Sequence, residues 1–160
     1  MKKNNNEANV FENITLKEPE TEIIANLLRV NSLLTMFFYP YFKKHDLSEP
    51  QFYALMAIFN NKEHQISMTD LSKRLLVSKA NISGIILRLE RKNFIVREGN
   101  EQDKRLQTIK ITKKCEKIIL GIIPEYKLKI SKVMKCLSVV EKKQLTKMIT
   151  KLRISLSEQL

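Results

Sequence analysis

Apolar residues recur with the period of an α-helix along most of the chain, and residues 78–92 (SKANISGIILRLERK) give the clearest example. The i, i+3, i+4, i+7 spacing predicts one buried face made of Ile82, Ile85, Ile86 and Leu89. The opposite face, small at its beginning and cationic at its end, consists of Ala80, Asn81, Gly84, Leu87, Arg88 and Arg91. Such a face suits the major groove of DNA, because small residues let the backbone approach, Asn pairs with adenine, and Arg reaches guanine or phosphate. In a helix considered alone, a solvated surface explains the same pattern. The flanking segments therefore decide between a solvated surface and a DNA-binding one.

A shorter helix is predicted just upstream, in the run SMTDLSKRLLV. Ser67 and Asp70 have the spacing of an N-cap residue and an N3 acid, and only Val77 and Ser78 separate this helix from the next. Its inward positions are Met68, Leu71 and Leu75. Helix, tight turn and helix is the arrangement in which the second helix enters the major groove.

Two β-branched runs with alternating polarity, FIVRE and QTIKIT, follow the second helix. Gly99, Asn100 and Asp103 supply turn residues between them, so the sequence predicts a hairpin, or wing. The tip EQDKR would present Lys104 and Arg105, and a guanidinium at such a tip can enter a narrow minor groove.

With these landmarks in this order, residues 47–160 resemble the MarR family of winged helix-turn-helix regulators. The family's second helix is resembled by LSEPQFYALMAI, and its two reader helices with the first wing strand by MTDLSKRLLVSKANISGIILRLERKNFIVRE. The start of its fifth helix is resembled by ITKK, and its sixth helix by LSVVEKKQLTKMITKL. DKR at residues 103–105 matches the Asp-x-Arg of the wing. Two positions depart from the family pattern. Asn93 stands where Gly is common, although Asn tolerates the same left-handed conformation, and Cys115 replaces a usual Gly.

The resemblance implies a mainly α fold with a small β-wing, that is, a winged helix-turn-helix with an N- and C-terminal helical dimerisation region. We expect a mobile arm over residues 1–20, dimerisation helices over 21–46 and 113–160, and the DNA-binding domain over 47–112. Pro40 should kink or shorten the first helix, and Pro124 interrupts the fifth. One reader helix and one wing cannot bury all the apolar stripes. We therefore expect a homodimer, which also sets two recognition helices about 34 Å apart.

Charge and composition narrow the functional class. The chain carries a formal charge of +12, and residues 62–114 alone hold 13 Lys and Arg against 6 Asp and Glu, as phosphate binding requires. No apolar run approaches the length of a bilayer span and the N-terminus lacks a signal-like apolar core, so we expect a cytoplasmic protein without a membrane partner. With 3 Gly and no nucleophile elbow or Cys-His pairing, the sequence predicts no enzyme.

The histidines and cysteines suggest no metal site or cofactor. His45 and His64 are isolated, whereas zinc needs three or four closely spaced ligands. Cys115 and Cys136 are 21 residues apart on one predicted helix. That separation is roughly 30 Å, which excludes an intrachain disulfide. We expect buried structural cysteines, with an intersubunit bridge or a lone reactive thiol as the alternatives.

Eight of the eleven aromatic residues fall between Phe37 and Phe59. In MarR-like proteins the first and second helices help line a cleft where small aromatic or phenolic ligands act. The candidate effector pocket consists of Phe37, Tyr41, Phe52 and Met56. The alternative is that these rings belong to the core, as aromatic stripes at helical spacing usually do.

These observations predict a dimeric, sequence-specific DNA-binding regulator, in the simplest case a repressor on a pseudo-palindromic operator that an effector releases. The residues expected against the major groove are Ser78, Lys79, Ala80, Asn81, Ser83, Gly84 and Arg88. Arg97 and Lys104 are expected to contact phosphate, and Arg105, steadied by Asp103, to enter the minor groove. Two alternatives stay open: a nonspecific nucleoid-type binder, and a protein-interaction adaptor that kept the winged fold.

Overall fold

The computed structural model describes residues 18–99 and 108–159. Helices dominate it, and a three-stranded sheet lies in the middle of the chain. In chain order the elements are α1 (Pro19–Lys44), α2 (Glu49–Phe59), β1 (Gln65–Ser67), α3 (Met68–Leu75), α4 (Lys79–Arg91), β2 (Ile95–Glu98), β3 (Thr108–Ile111), α5 (Lys113–Val133) and α6 (Val139–Ser157), with short 3₁₀ turns at Lys62–His64 and Met134–Cys136.

Five of the helices begin at a Ser or Thr whose side-chain oxygen accepts the backbone N–H three residues later. These N-cap residues are Ser48, Ser67, Ser78, Thr112 and Ser138. The cap satisfies an N–H that has no partner inside the helix, so it fixes the residue at which the helix starts. The predicted starts of α3 and α4 are therefore confirmed.

The hydrophobic core lies between the end of α1, helices α2, α3 and α4, the sheet, and the beginning of α5. The predicted inner face of α4 is confirmed, because Ile82, Ile86 and Leu89 have no exposed surface and Ile85 retains 9%. This burial anchors α4 along its whole length, so its outer face is held in a fixed direction.

Strand β3 is the centre of the sheet, with β1 and β2 antiparallel on either side. The pairing of β2 with β3 confirms the predicted hairpin. Strand β1 was not predicted, because its three residues are too few for an alternating pattern. It places Ile66 opposite Ile109 and so attaches the wing to the segment between α2 and α3. The predicted wing tip falls in residues 100–107, which lie outside the described residues.

The two prolines inside the long helices do not end them. Helix α1 continues past Pro40 to Lys44, and α5 continues past Pro124 to Val133, so Pro40 does not shorten the first helix and Pro124 does not interrupt the fifth, while the kink at Pro40 stays a prediction. A proline removes one N–H donor from the helix, but the flanking turns remain held by packing. Tyr41, Phe42 and Ile122 are all buried next to these prolines.

Helix α1 also corrects the expectation about apolar length. By length and composition it is apolar enough to cross a membrane. Its polar interruptions, such as Asn26 and Asn31, are uncharged, so long apolar stretches of the helix contain few charged side chains. The core helix of a soluble protein has the same composition, and α1 buries Phe38, Tyr41 and Phe42 in the core.

Candidate nucleic-acid interface

The outer face of α4 is the candidate DNA-binding surface, and the helix starts at Ser78, whose Oγ accepts a hydrogen bond from the Asn81 N–H at 3.3 Å. Of the residues predicted for this face, the exposed ones are Ala80, Asn81, Leu87, Arg88 and Arg91, joined by Ser83, while Gly84 is half-buried. For Lys79 only the helical backbone is described. The predicted division of α4 into an inner and an outer face therefore holds, and the DNA contacts of these residues stay a prediction.

The turn between α3 and α4 fixes the angle at which α4 projects. Leu76 adopts the left-handed conformation with φ 53°, which ends α3. The Ser72 Oγ donates to the carbonyl of Val77 at 2.7 Å, and the Val77 N–H donates back to the Ser72 carbonyl at 3.2 Å. Arg74 Nη1 donates to the Ala57 carbonyl of α2 at 2.9 Å, which ties α3 to the core.

The turn after α4 joins the recognition helix to the wing and to α5. Asn93 has φ 56°, which confirms that it adopts the left-handed conformation expected where the family commonly has Gly. The Thr112 Oγ1 donates to the Asn93 carbonyl at 2.9 Å, and the Phe94 N–H donates to the Leu89 carbonyl at 3.0 Å. The end of α4, the start of β2 and the cap of α5 thus meet at one point.

Cationic residues of this surface differ in their surroundings. Arg97 of β2 lies with Nη2 3.2 Å from Glu90 Oε2, and Lys110 of β3 lies with Nζ 3.5 Å from Glu98 Oε1. Arg88 and Arg91 form no ion pair with another residue of the described ranges 18–99 and 108–159. The sequence did not reveal that a carboxylate of α4 already faces Arg97. Asp103, Lys104 and Arg105 lie outside the described residues.

The four residues predicted for the effector pocket differ in their exposure, and their contact with a ligand stays a prediction. Tyr41 and Phe52 are buried in the core, Met56 packs against it, and Phe37 is 44% exposed. Tyr126 of α5 was not predicted to join this cluster. Its ring lies at centroid distances of 5.2, 6.0, 6.4 and 4.7 Å from those of Phe38, Tyr41, Phe42 and Phe52. A single aromatic residue in a lysine-rich helix gave no signal that it belonged to this cluster.

Burial and hydrogen bonding hold Tyr41 in its neutral form. Its hydroxyl donates to the Ile122 carbonyl at 2.8 Å, and burial, with the nearby charge of Glu125, raises the pKa of Tyr41 to about 12. A cavity of about 590 Å³ opens beside the cluster, between the end of α1 and the start of α2. Tyr39, Lys43 and Lys92 contribute to its lining, but none of the four predicted pocket residues does.

Each histidine has protein partners rather than a ligand set. The ring of His45 meets that of Tyr41 edge-on, and its Nε2 lies 3.8 Å from Glu125 Oε2. The ring of His64 stacks on that of Phe59 with centroids 4.7 Å apart. Among residues 18–99 and 108–159 no group of three or more His, Cys, Asp or Glu side chains could hold a metal ion.

The two cysteines differ, contrary to the expectation that both are buried. Cys115 is fully buried near the start of α5, and this burial raises the pKa of its thiol to about 12. Cys136 is exposed. It lies in the 3₁₀ turn after α5, where the chain leaves the core and nothing in the described part of the chain covers it.

Comparisons with known proteins show which family has this sequence and fold. Residues 45–106, which contain α3, α4 and the beginning of the wing, match the sequence model of the MarR family. The HTH-type transcriptional repressor YetL of Bacillus subtilis is 34% identical over 128 residues, which span 80% of this chain and 77% of YetL. The chain belongs to the MarR family.

Solved structures agree with the MarR fold. Sco3205, a MarR family regulator from Streptomyces coelicolor solved in complex with DNA, superposes with a TM-score of 0.78 at 18% identity, over 86% of this chain and 90% of Sco3205. BpsR of Bordetella bronchiseptica, whose DNA binding is regulated by 6-hydroxynicotinic acid, gives a TM-score of 0.75 at 17% identity, over 82% of this chain and 98% of BpsR. The predicted family and fold class are confirmed, and the protein is a transcriptional regulator, not an enzyme.

Proposed function

We propose that this MarR protein is a homodimeric repressor that binds a pseudo-palindromic operator in double-stranded DNA. The observation that carries the proposal is the outer face of α4, where exposed Asn81, Arg88 and Arg91 project from a helix whose other face is locked in the core. Asn and Arg are the side chains that pair bidentately with adenine and guanine in the major groove. A face of this composition favours sequence-specific contacts over purely electrostatic ones.

The remaining contacts of the proposed complex are to the DNA backbone and the minor groove. The exposed N-terminus of α4 at Ser78 suits a phosphate, because its N–H groups point outward and the helix dipole favours an anion there. Arg97 and Lys104 are assigned to phosphate, and Arg105, steadied by Asp103, to the minor groove; for the wing tip this rests on the family resemblance.

The proposed dimer rests on apolar surface that one chain leaves uncovered. Helix α6 contains no buried residue, and its Met148 and Leu156 are 61% and 50% exposed. On α1, Ile23 and Leu33 are 55% and 64% exposed. Continuous apolar faces of this kind are usually covered by a partner. A second copy would cover them and set two α4 helices about 34 Å apart, one turn of DNA. We place such a DNA-binding dimer in the cytoplasm, without a membrane partner.

A small aromatic effector is proposed as the releasing signal. BpsR, which shares the fold, is regulated in its DNA binding by 6-hydroxynicotinic acid, an aromatic acid. The cavity beside the aromatic cluster carries Lys43, which could pair with a carboxylate, and Lys92, whose Nζ lies 3.0 Å from Asp46 Oδ2, so an acidic ligand there would compete with Asp46. Lys92 directly follows α4, so a ligand there could change the angle between the recognition helix and the dimerisation helices. None of Phe37, Tyr41, Phe52 and Met56 lines this cavity, which is proposed as a second candidate site beside that predicted set.

The deciding experiment measures fluorescence anisotropy of the full chain on duplexes from the region upstream of its gene and on scrambled duplexes, across a salt series. We expect binding at least a thousandfold tighter to the operator than to the scrambled duplex, with a steep negative slope of log K against log salt. Equal binding to every duplex would favour a nucleoid-type protein. No salt-dependent binding at all would favour an adaptor.

Single-residue variants test the assignment of Arg105 to the minor groove. Arg105→Ala should weaken operator binding and reduce the salt slope by about one unit. Arg153→Ala is the matched control, because Arg153 is an exposed arginine on α6, away from the recognition helix, and the net charge changes equally. Equal effects of the two variants would contradict the wing assignment. Sedimentation equilibrium of the wild type tests the dimer, and a monomer at micromolar concentration would contradict it.

A further inference from the structure

Leu87 is an apolar residue in the middle of the surface that α4 presents to DNA. Helical spacing places Ala80, Gly84, Leu87 and Arg91 along one line of the helix, opposite the buried face. The Leu87 side chain is 43% exposed and is flanked by the exposed cations Arg88 and Arg91. The core does not cover Leu87, and the cations beside it are those that would draw the helix onto a phosphate-lined groove.

Gly84 lies one turn before Leu87 and leaves a notch next to it. A Cβ added at Gly84 would meet no heavy atom within 4 Å, so packing inside the chain does not require a glycine there. Glycine nevertheless destabilises the interior of a helix. It is suited to a position where another molecule approaches the backbone closely, because it has no side chain in the way. Leu87 follows one turn later on the same face and leaves this space open, because no atom of its side chain lies within 4 Å of the added Cβ. An exposed apolar side chain therefore stands beside uncovered backbone, between polar neighbours.

We propose that Leu87 is a specificity-determining residue that contacts the C5 methyl group of a thymine in each half of the operator. This inference rests on the proposed function. The thymine methyl is the apolar group on the major-groove edge of the bases, whereas guanine, adenine and cytosine present polar groups that leucine cannot pair. Contact with the exposed Leu87 side chain selects the methyl by removing it from water, and Gly84 lets the helix backbone come close enough for that contact. A cytosine at that position would bury its amino group without a partner.

The test is a double-mutant cycle that combines the removal of the Leu87 side chain with the removal of one thymine methyl group. The operator is first recovered by selecting bound duplexes from a random pool with the full-length protein. Each thymine of a half-site is then replaced by uracil, which removes only the C5 methyl. Affinities of the wild type and Leu87→Ala are measured by anisotropy on every duplex. Leu128→Ala is the matched control, because Leu128 is an exposed leucine, at 65%, that lies on α5, outside the helix-turn-helix.

We expect one thymine per half-site at which uracil weakens wild-type binding roughly fourfold, and about fifteenfold when both half-sites change, from the burial of one methyl. Leu87→Ala should bind the thymine and uracil duplexes equally, while Leu128→Ala keeps the wild-type difference. If uracil has the same effect on the wild type and on Leu87→Ala at every position, the assignment of Leu87 is wrong although the regulator function stands. If selection enriches no duplex, the proposed function and this inference both fail.

Discussion

Arg97 and Glu90 form an ion pair, with Nη2 and Oε2 3.2 Å apart, that connects the first wing strand to the recognition helix. Glu90 therefore competes with phosphate for the guanidinium. We predict that Glu90→Gln tightens binding to any duplex and makes the salt slope steeper by about one unit, because it frees one cation near DNA. Both side chains are about one-third exposed, so the free energy of unfolding should fall by less than about 1 kcal/mol.

Arg97→Gln is the companion variant for this prediction. It breaks the same pair, so it should cost similar stability in a urea titration, but it should weaken DNA binding and flatten the salt slope. If both variants leave the slope unchanged, the pair only supports the wing and Arg97 does not reach phosphate.

Gly84→Ala should separate stability from DNA binding. The added methyl meets nothing in the chain, and alanine is favoured over glycine within a helix, so the free energy of unfolding should rise by about 0.5–1 kcal/mol. If DNA approaches the backbone at this point, operator affinity should fall on the order of tenfold, a loss of about 1.4 kcal/mol. Gly121→Ala on α5 is the control, because a Cβ there also meets nothing within 4 Å. An unchanged affinity in Gly84→Ala would contradict a close approach.

Much of the fold could be predicted because its signals are local. The inner face of α4 follows from residues three and four apart, such as Ile82 and Ile86, and the starts of α3 and α4 follow from the caps Ser67 and Ser78. The outer face of α4 then follows from helix geometry alone. The left-handed conformation of Asn93 was expected from the family resemblance, because Asn stands there in place of a common Gly and tolerates the same conformation.

Contacts between distant segments could not be predicted from one sequence. Strand β1 exists because it pairs with β3, more than 40 residues further along the chain. Tyr126 joins the aromatic cluster because α5 packs on α1 and α2, and the hydrogen bond from Tyr41 to Ile122 spans 81 residues. The pairing of Arg97 with Glu90 depends on how β2 turns back along α4. A periodic pattern shows which face is buried but not what covers it.

Asn93→Gly should stabilise the turn that joins α4 to the wing. Asn93 has φ 56°, a conformation that costs a residue with a Cβ up to about 1–2 kcal/mol and costs glycine little. We expect the free energy of unfolding to rise by a few tenths to about 1 kcal/mol for Asn93→Gly and to fall by about 1 kcal/mol for Asn93→Ala. Asn60→Gly is the control, because Asn60 ends α2 with φ −82° and gains nothing from glycine. If glycine changes the free energy of unfolding equally at both positions, backbone strain at Asn93 does not explain the effect.

Tyr41→Phe should lower stability at neutral pH and reduce its loss at alkaline pH. The variant removes the hydrogen bond to the Ile122 carbonyl, which is worth about 1 kcal/mol. Because the pKa of Tyr41 is raised from 10.0 to about 12, the folded state holds this proton more tightly than the unfolded state. Its contribution is complete below pH 10 and disappears as the pH rises through 12.

Urea titrations at pH 8 and pH 11 measure this difference. The wild type should lose more stability between the two pH values than Tyr41→Phe. A residual loss should remain in the variant, because burial also raises the pKa of Tyr53. Tyr39→Phe, at a ring that is 61% exposed, should behave as the wild type. Equal alkaline losses in the wild type and Tyr41→Phe would contradict the assignment.

The two thiols should react at very different rates with a disulfide reagent at pH 8. Burial both shields Cys115 and raises its pKa to about 12, so only on the order of one in ten thousand molecules carries the thiolate at that pH. Cys136 is exposed, so we expect one fast thiol per native chain and a second after unfolding. Cys136→Ser should have no fast thiol, and Cys115→Ala should keep it. Fast reaction of Cys136→Ser would contradict the burial of Cys115, whereas a wild type with no fast thiol would indicate that a second subunit covers Cys136.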